Sequence, residues 1–125
     1  VKLNIKELTG EVVLDDQILG KPKNKEEATS MLQSLSNRSH QVITGVCIKS
    51  IVKTISFSNT TKVYFKELTA SEIDYYIENY KPYDKAGSYG IQEWIGAIGI
   101  TKIEGSYFNV VGLPIQELNE ILTLE

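Results

Sequence analysis

His40-Gln41-Val42-Ile43-Thr44-Gly45-Val46-Cys47-Ile48 opens a stretch, running on to Val52, in which β-branched residues dominate. Such side chains pack well on a pleated surface, so the stretch predicts a strand. Cys47 reads as an inert residue buried in that strand. As the chain's single cysteine, it also excludes an intramolecular disulfide and any multi-cysteine metal site. His40 is expected as a hydrogen-bonded residue at the strand start and not as a general base. Downstream, Thr54 to Ser58 and Lys62 to Phe65 continue the pattern around Ser58-Asn59-Thr60, as antiparallel neighbours in one sheet.

Upstream, Glu11-Val12-Val13-Leu14, Asp15-Asp16 and Gln17-Ile18-Leu19 read as a hairpin whose paired aspartates form the turn. Val1 to Ile5 alternates like a further short strand. Between hairpin and central strand, Asn24 with Glu27 three residues on marks a helix start. Ala28, Met31, Leu32 and Leu35 then follow at helical spacing, with an end at Ser36-Asn37. Thr69 with Glu72 repeats the capping pattern, and Ile73, Tyr76, Ile77 and Tyr80 continue a second helix that ends before Pro82. Helix geometry divides Tyr75 and Tyr76 between solvent and core.

Most of the nine glycines fall between Gly87 and Gly112, interleaved with Ile91, Trp94, Ile95, Ile98, Ile100, Ile103 and other apolar residues. That alternation predicts tight turns, bulges and close backbone approach around a core or ligand. Trp94 is expected as core or pocket wall. Pro114 suits the first turn of a last helix through Glu117, Leu118, Ile121 and Leu122. These elements make a mixed α/β domain, a sheet flanked by helices, and 125 residues fit one domain.

Composition narrows the function classes. With 42% hydrophobic and 23% charged residues the chain is of globular type. A net charge of −3 gives no basic footprint for nucleic acid, so any phosphate site must be local. No apolar run approaches membrane-spanning length, and the polar, alternating start is unlike a signal peptide, so a cytoplasmic protein is expected. The chain begins at Val1, which suggests processing or missing sequence. Walker loops, nucleophile elbows and His-pair metal motifs are absent from the sequence.

Two constellations stand out. Gly20-Lys21-Pro22 sets a cation on a stiff turn beside a flexible glycine, an arrangement suited to meeting a triphosphate and also common on plain surfaces. Asp84-Lys85-Ala86-Gly87-Ser88-Tyr89-Gly90-Ile91-Gln92-Glu93-Trp94 gathers charge, amide and hydroxyl groups in a glycine-bracketed loop, the usual construction of a binding site.

Those strings, together with His40-Gln41-Val42-Ile43-Thr44-Gly45-Val46, Ile103-Glu104-Gly105-Ser106-Tyr107-Phe108-Asn109-Val110 and Gly112-Leu113-Pro114, occur in the order and approximate spacing of the Maf family. The chain resembles the C-terminal two-thirds of such a domain. The resemblance implies an α/β fold like that of inosine triphosphate pyrophosphatases, incomplete here on its N-terminal side. It also implies a homodimer, and hydrolysis of nucleoside triphosphates to monophosphate and pyrophosphate with a divalent cation, Mg or Mn.

Gly90-Ile91-Gln92 resembles the family branch that acts on dTTP and UTP. By that resemblance Lys21 contacts phosphate, Asp84 and Lys85 shape and charge the pocket, and Gln92 selects the base. The family's water-activating aspartate, in an Ala-Asp-Thr string, falls by spacing on Thr9, and Glu11 is the nearest carboxylate. Val1 to Glu7 instead resembles an earlier strand, so a discontinuity is expected between about residues 7 and 12. If it reflects residues missing from the sequence, the parent is an active pyrophosphatase. If it is a true deletion, the chain is a nucleotide-binding module of very low turnover, or an interaction protein of cell division, as the family's septum-associated name suggests.

Overall fold

The computed structural model describes residues 4–49 and 54–110. The short strand expected at the N-terminus falls partly outside them, and the helix expected from Pro114 falls wholly outside. The described chain runs β1 (Asn4–Leu14), β2 (Gln17–Leu19), α1 (Lys25–Leu35), β3 (Ser39–Lys49), β4 (Thr54–Phe65), α2 (Ala70–Tyr80), α3 (Trp94–Gly99), β5 (Ile100–Glu104) and α4 (Tyr107–Val110). Two 3-10 turns, Pro82–Asp84 and Ala86–Ser88, join α2 to α3.

The strands form one sheet in the order β2-β1-β3-β4-β5, with every pairing antiparallel. Register follows side-chain alternation. Val12 lies opposite Val42 and Val42 opposite Thr61, while His40 lies opposite Val63, so all five residues share the buried face. Glu11, Gln41, Thr60 and Lys62 point the other way and are exposed. Cys47 shares their parity in β3 and is half-buried, unlike the core cysteine expected, because Thr44 and Val46 hold the inward positions. The expected hairpin forms at Asp15 and Asp16, both at positive φ (50° and 64°), the twist that suits a two-residue turn. Its first strand extends back through Thr9 and Gly10 to Asn4, with a register irregularity between Ile5 and Glu7.

Both expected helices are set by local chemistry. The Asn24 side chain accepts the Glu27 N–H at 2.9 Å and starts α1. Thr69 and Glu72 complete a reciprocal capping box at α2, which ends when Lys81 turns left-handed (φ 47°) ahead of Pro82. Leu32, Leu35, Ile73, Tyr76 and Ile77 project from these helices onto Val12, Leu14, Val42, Val63 and Phe65. Each large aliphatic side chain buried there contributes about 1.5–3 kcal/mol.

His40 lies in this core with its ring stacked on Phe65, and its Nε2 is 2.5 Å from the Tyr89 hydroxyl. It is the bonded strand residue that was expected. Burial pushes its pKa down to about 4 from an ordinary 6.5. The unfolded chain takes up this proton near pH 6.5 and the folded chain does not, so stability present above pH 6.5 is lost as the pH falls toward 4. We expect unfolding free energy to drop between pH 6.5 and 5 by up to about 1.4 kcal/mol per unit. Denaturant titrations of His40→Gln should show a flatter dependence, and an unchanged slope would refute the assignment.

Candidate functional site

The loop between α2 and α3 is built against β1. Gly87 N–H donates to the Gly20 carbonyl at 3.1 Å, tying the Gly20-Lys21-Pro22 corner to the Ala86–Ser88 turn. Gly87 stands at φ 72°, and a Cβ there would lie 3.0 Å from a Val12 methyl. The sequence therefore needs glycine at this contact for both conformation and space. Ser88, also at positive φ (68°), is buried, and its hydroxyl reaches the Met31 sulfur at 3.2 Å. Tyr89 then points into the core beside His40 and Phe65.

Beyond Tyr89 the chain returns to the surface in a turn. Glu93 N–H donates to the Gly90 carbonyl at 3.0 Å, leaving Ile91 and Gln92 at the tip. This turn, with Lys85 and the floor formed by Gly10, Val12, Val42 and Thr44, bounds a pocket of about 250 Å³. A Cβ built on Gly10 meets nothing within 4 Å, so the floor is open at that point.

Among the residues singled out by resemblance, Lys85 and Gln92 line this pocket together. Lys21 and Asp84 stand outside the lining, although both belong to the same electrostatic group. The Lys85 ammonium lies 3.3 Å from the Asp84 carboxylate and 3.9 Å from that of Glu93. Lys85 chiefly, with a contribution from Lys21, holds the Asp84 carboxyl below its usual range. Thr9 pairs with Gly45 in the sheet, one residue from the pocket floor. Glu11 borders the pocket along β1, but alternation sends its side chain to the face opposite Val12.

Tyr76 and Glu93 were not singled out by sequence reasoning. The Tyr76 hydroxyl donates to Glu93 Oε1 at 2.7 Å and accepts the Gly90 N–H at 3.2 Å. Burial and the neighbouring Glu93 carboxylate push this phenol well above its ordinary range, so it stays a neutral donor. Trp94 packs partly buried against the core with its ring 4.8 Å from Tyr75, the core position of the two expected, and is not part of the pocket lining; Tyr75 is 49% exposed where Tyr76 is 0%. Among the described residues no group of three or more His, Cys, Asp or Glu could hold a metal ion. Nor is any helix among them long and apolar enough to cross a membrane.

A Cβ on Gly96 would overlap the Ile91 carbonyl oxygen, whereas one on Gly90 would meet only the ends of the Lys85 and Glu93 side chains, at 2.8 and 2.9 Å. Helix propensity alone favours alanine at Gly96 by about 1 kcal/mol. We expect the opposite sign in denaturant unfolding: Gly96→Ala loses about 1–3 kcal/mol by forcing the turn aside, and Gly90→Ala loses less. A stabilised Gly96→Ala would show that the close approach does not govern the turn.

The sequence profile of the Maf-like protein family matches residues 9–125. A protein of Porphyromonas gingivalis (strain ATCC BAA-308 / W83) named dTTP/UTP pyrophosphatase is 58% identical over 111 residues, covering 88% of this chain and 56% of its own length. Proteins of the same name from Phocaeicola vulgatus and Flavobacterium johnsoniae are 60% and 56% identical, each covering 86% of this chain and 55% and 56% of their own length. The chain thus spans about half the length of the curated relatives it matches. The profile match takes in the hairpin, the sheet and the pocket loop, and it makes the chain a member of the Maf-like family.

Proposed function

We propose that this chain supplies the base-reading and phosphate-neutralising part of a nucleoside triphosphate pyrophosphatase that hydrolyses dTTP and UTP to the monophosphate and pyrophosphate. The observation that carries this reading is the shared pocket edge of Lys85 and Gln92, in a chain whose relatives bear the name of that activity. A carboxamide can accept the ring N–H of thymine or uracil while donating to the adjacent carbonyl, and that edge is common to both bases. Lys85, with Lys21 on the adjoining corner, is suited to the negative charge of the triphosphate and of the leaving pyrophosphate. Asp84 holds Lys85 from the outer side.

In the reaction, water attacks the α-phosphorus, the α–β anhydride bond breaks, and the attacking water loses its proton as pyrophosphate departs. The proton acceptor is the weak part of this chain. Thr9 stands where the family pattern has aspartate, and a hydroxyl is no proton acceptor near neutrality. This favours a second reading, in which the chain by itself binds pyrimidine triphosphates without efficient turnover. A divalent cation, Mg or Mn, a homodimer and a cytoplasmic setting belong to the pyrophosphatase reading. A role in septum formation through protein partners is the remaining alternative.

The test measures equilibrium binding and pyrophosphate release on one sample, with dTTP, UTP, dCTP and GTP. We expect saturable binding of dTTP and UTP. Lys85→Met should weaken every triphosphate alike by about tenfold, and Gln92→Leu should erase the preference among bases. Thr9→Asp should raise pyrophosphate release, by up to about a hundredfold for a restored base. Absence of dTTP and UTP binding at millimolar concentration would overturn the reading.

A further inference from the structure

We propose that Tyr76 is a positioning residue for base selection, holding through Gly90 and Glu93 the turn that presents Gln92. This rests on the base-reading role given to Gln92 above. Three hydrogen bonds close a ring around the turn: Glu93 N–H to the Gly90 carbonyl at 3.0 Å, Gly90 N–H to the Tyr76 oxygen at 3.2 Å, and the Tyr76 hydroxyl to Glu93 Oε1 at 2.7 Å. One phenol thereby grips both ends of a four-residue turn whose two tip residues border the pocket. The tyrosine itself is buried on α2, so its hydroxyl is held by the packed core. Gln92, by contrast, is exposed.

Packing alone does not require this hydroxyl, since phenylalanine presents the same ring to Tyr80 and to the core cluster. What the oxygen adds is the location of the turn. Reading a base by hydrogen bonds needs donors and acceptors held to within about 0.5 Å, which an unanchored surface turn does not provide. Glu93 also approaches Lys85 at 3.9 Å, so the same anchor fixes the turn against the phosphate-neutralising side of the pocket.

Trp94, the chain's single tryptophan, follows Glu93 directly and gives a fluorescence signal for the test. The full 125-residue chain is titrated with dTTP, dCTP and inorganic tripolyphosphate, as wild type, Tyr76→Phe, Glu93→Gln and Glu93→Leu. Expected is a dTTP-over-dCTP preference that falls by about tenfold in Tyr76→Phe while its tripolyphosphate affinity is unchanged. Glu93→Gln keeps an acceptor oxygen and should keep the preference. Glu93→Leu should lose it.

A Tyr76→Phe protein with wild-type near-ultraviolet circular dichroism and an undiminished preference overturns the inference and leaves the role of Gln92 standing. A wild type without preference overturns the base-reading role and this inference with it. If Tyr76→Phe does not fold, the two Glu93 variants decide: equal preference in both overturns the inference.

Discussion

The hydrogen bond from Gly87 N–H to the Gly20 carbonyl, made where Gly87 lies against Val12, is the contact on which the candidate site depends. It joins two segments far apart in sequence and presses both on the central hairpin. Lys85 on one segment then bonds the Asp84 carboxylate, and Lys21 on the other adds a smaller attraction through space. From Gly87 the chain has a single course open to it, since Ser88 and Tyr89 enter the core and Gly90 leaves it. The sheet matters chiefly as the rigid surface that makes this contact reproducible.

Elements whose cause lies within a few residues were legible. The Asn24 and Thr69 caps, the Asp15-Asp16 turn and the stop at Pro82 each follow from chemistry contained in one short window. The central strand was legible from its β-branched run, but its phase was not. Once His40, Val42 and Thr44 take the inward face, Cys47 must fall on the other.

α3 was hidden because its glycines answer to tertiary contacts. A Cβ on Gly99 would lie 3.0 Å from the Phe65 ring and one on Gly96 would overlap the Ile91 carbonyl, so composition suggested turns where the chain forms a short helix followed by β5. At the site, the residues by themselves marked Lys85 and Gln92 only as members of a polar loop; their roles came from resemblance. The Tyr76–Glu93 pair could not be read at all, since the partners lie on different elements and tyrosine at a core position of α2 looks like packing. The one available signal was a carboxylate beside an apolar run, which has many commoner explanations.

Gly10 carries a different kind of consequence. The structure places no atom within 4 Å of a Cβ at this position, although the residue lines the pocket beside the buried Val12 and Thr44. Glycine is tolerated in a strand at some cost in backbone entropy, so here it spends stability on empty volume. Ligand size can thus be tuned from within the sheet, by one side chain that grows upward into the cavity while the surrounding scaffold stays still.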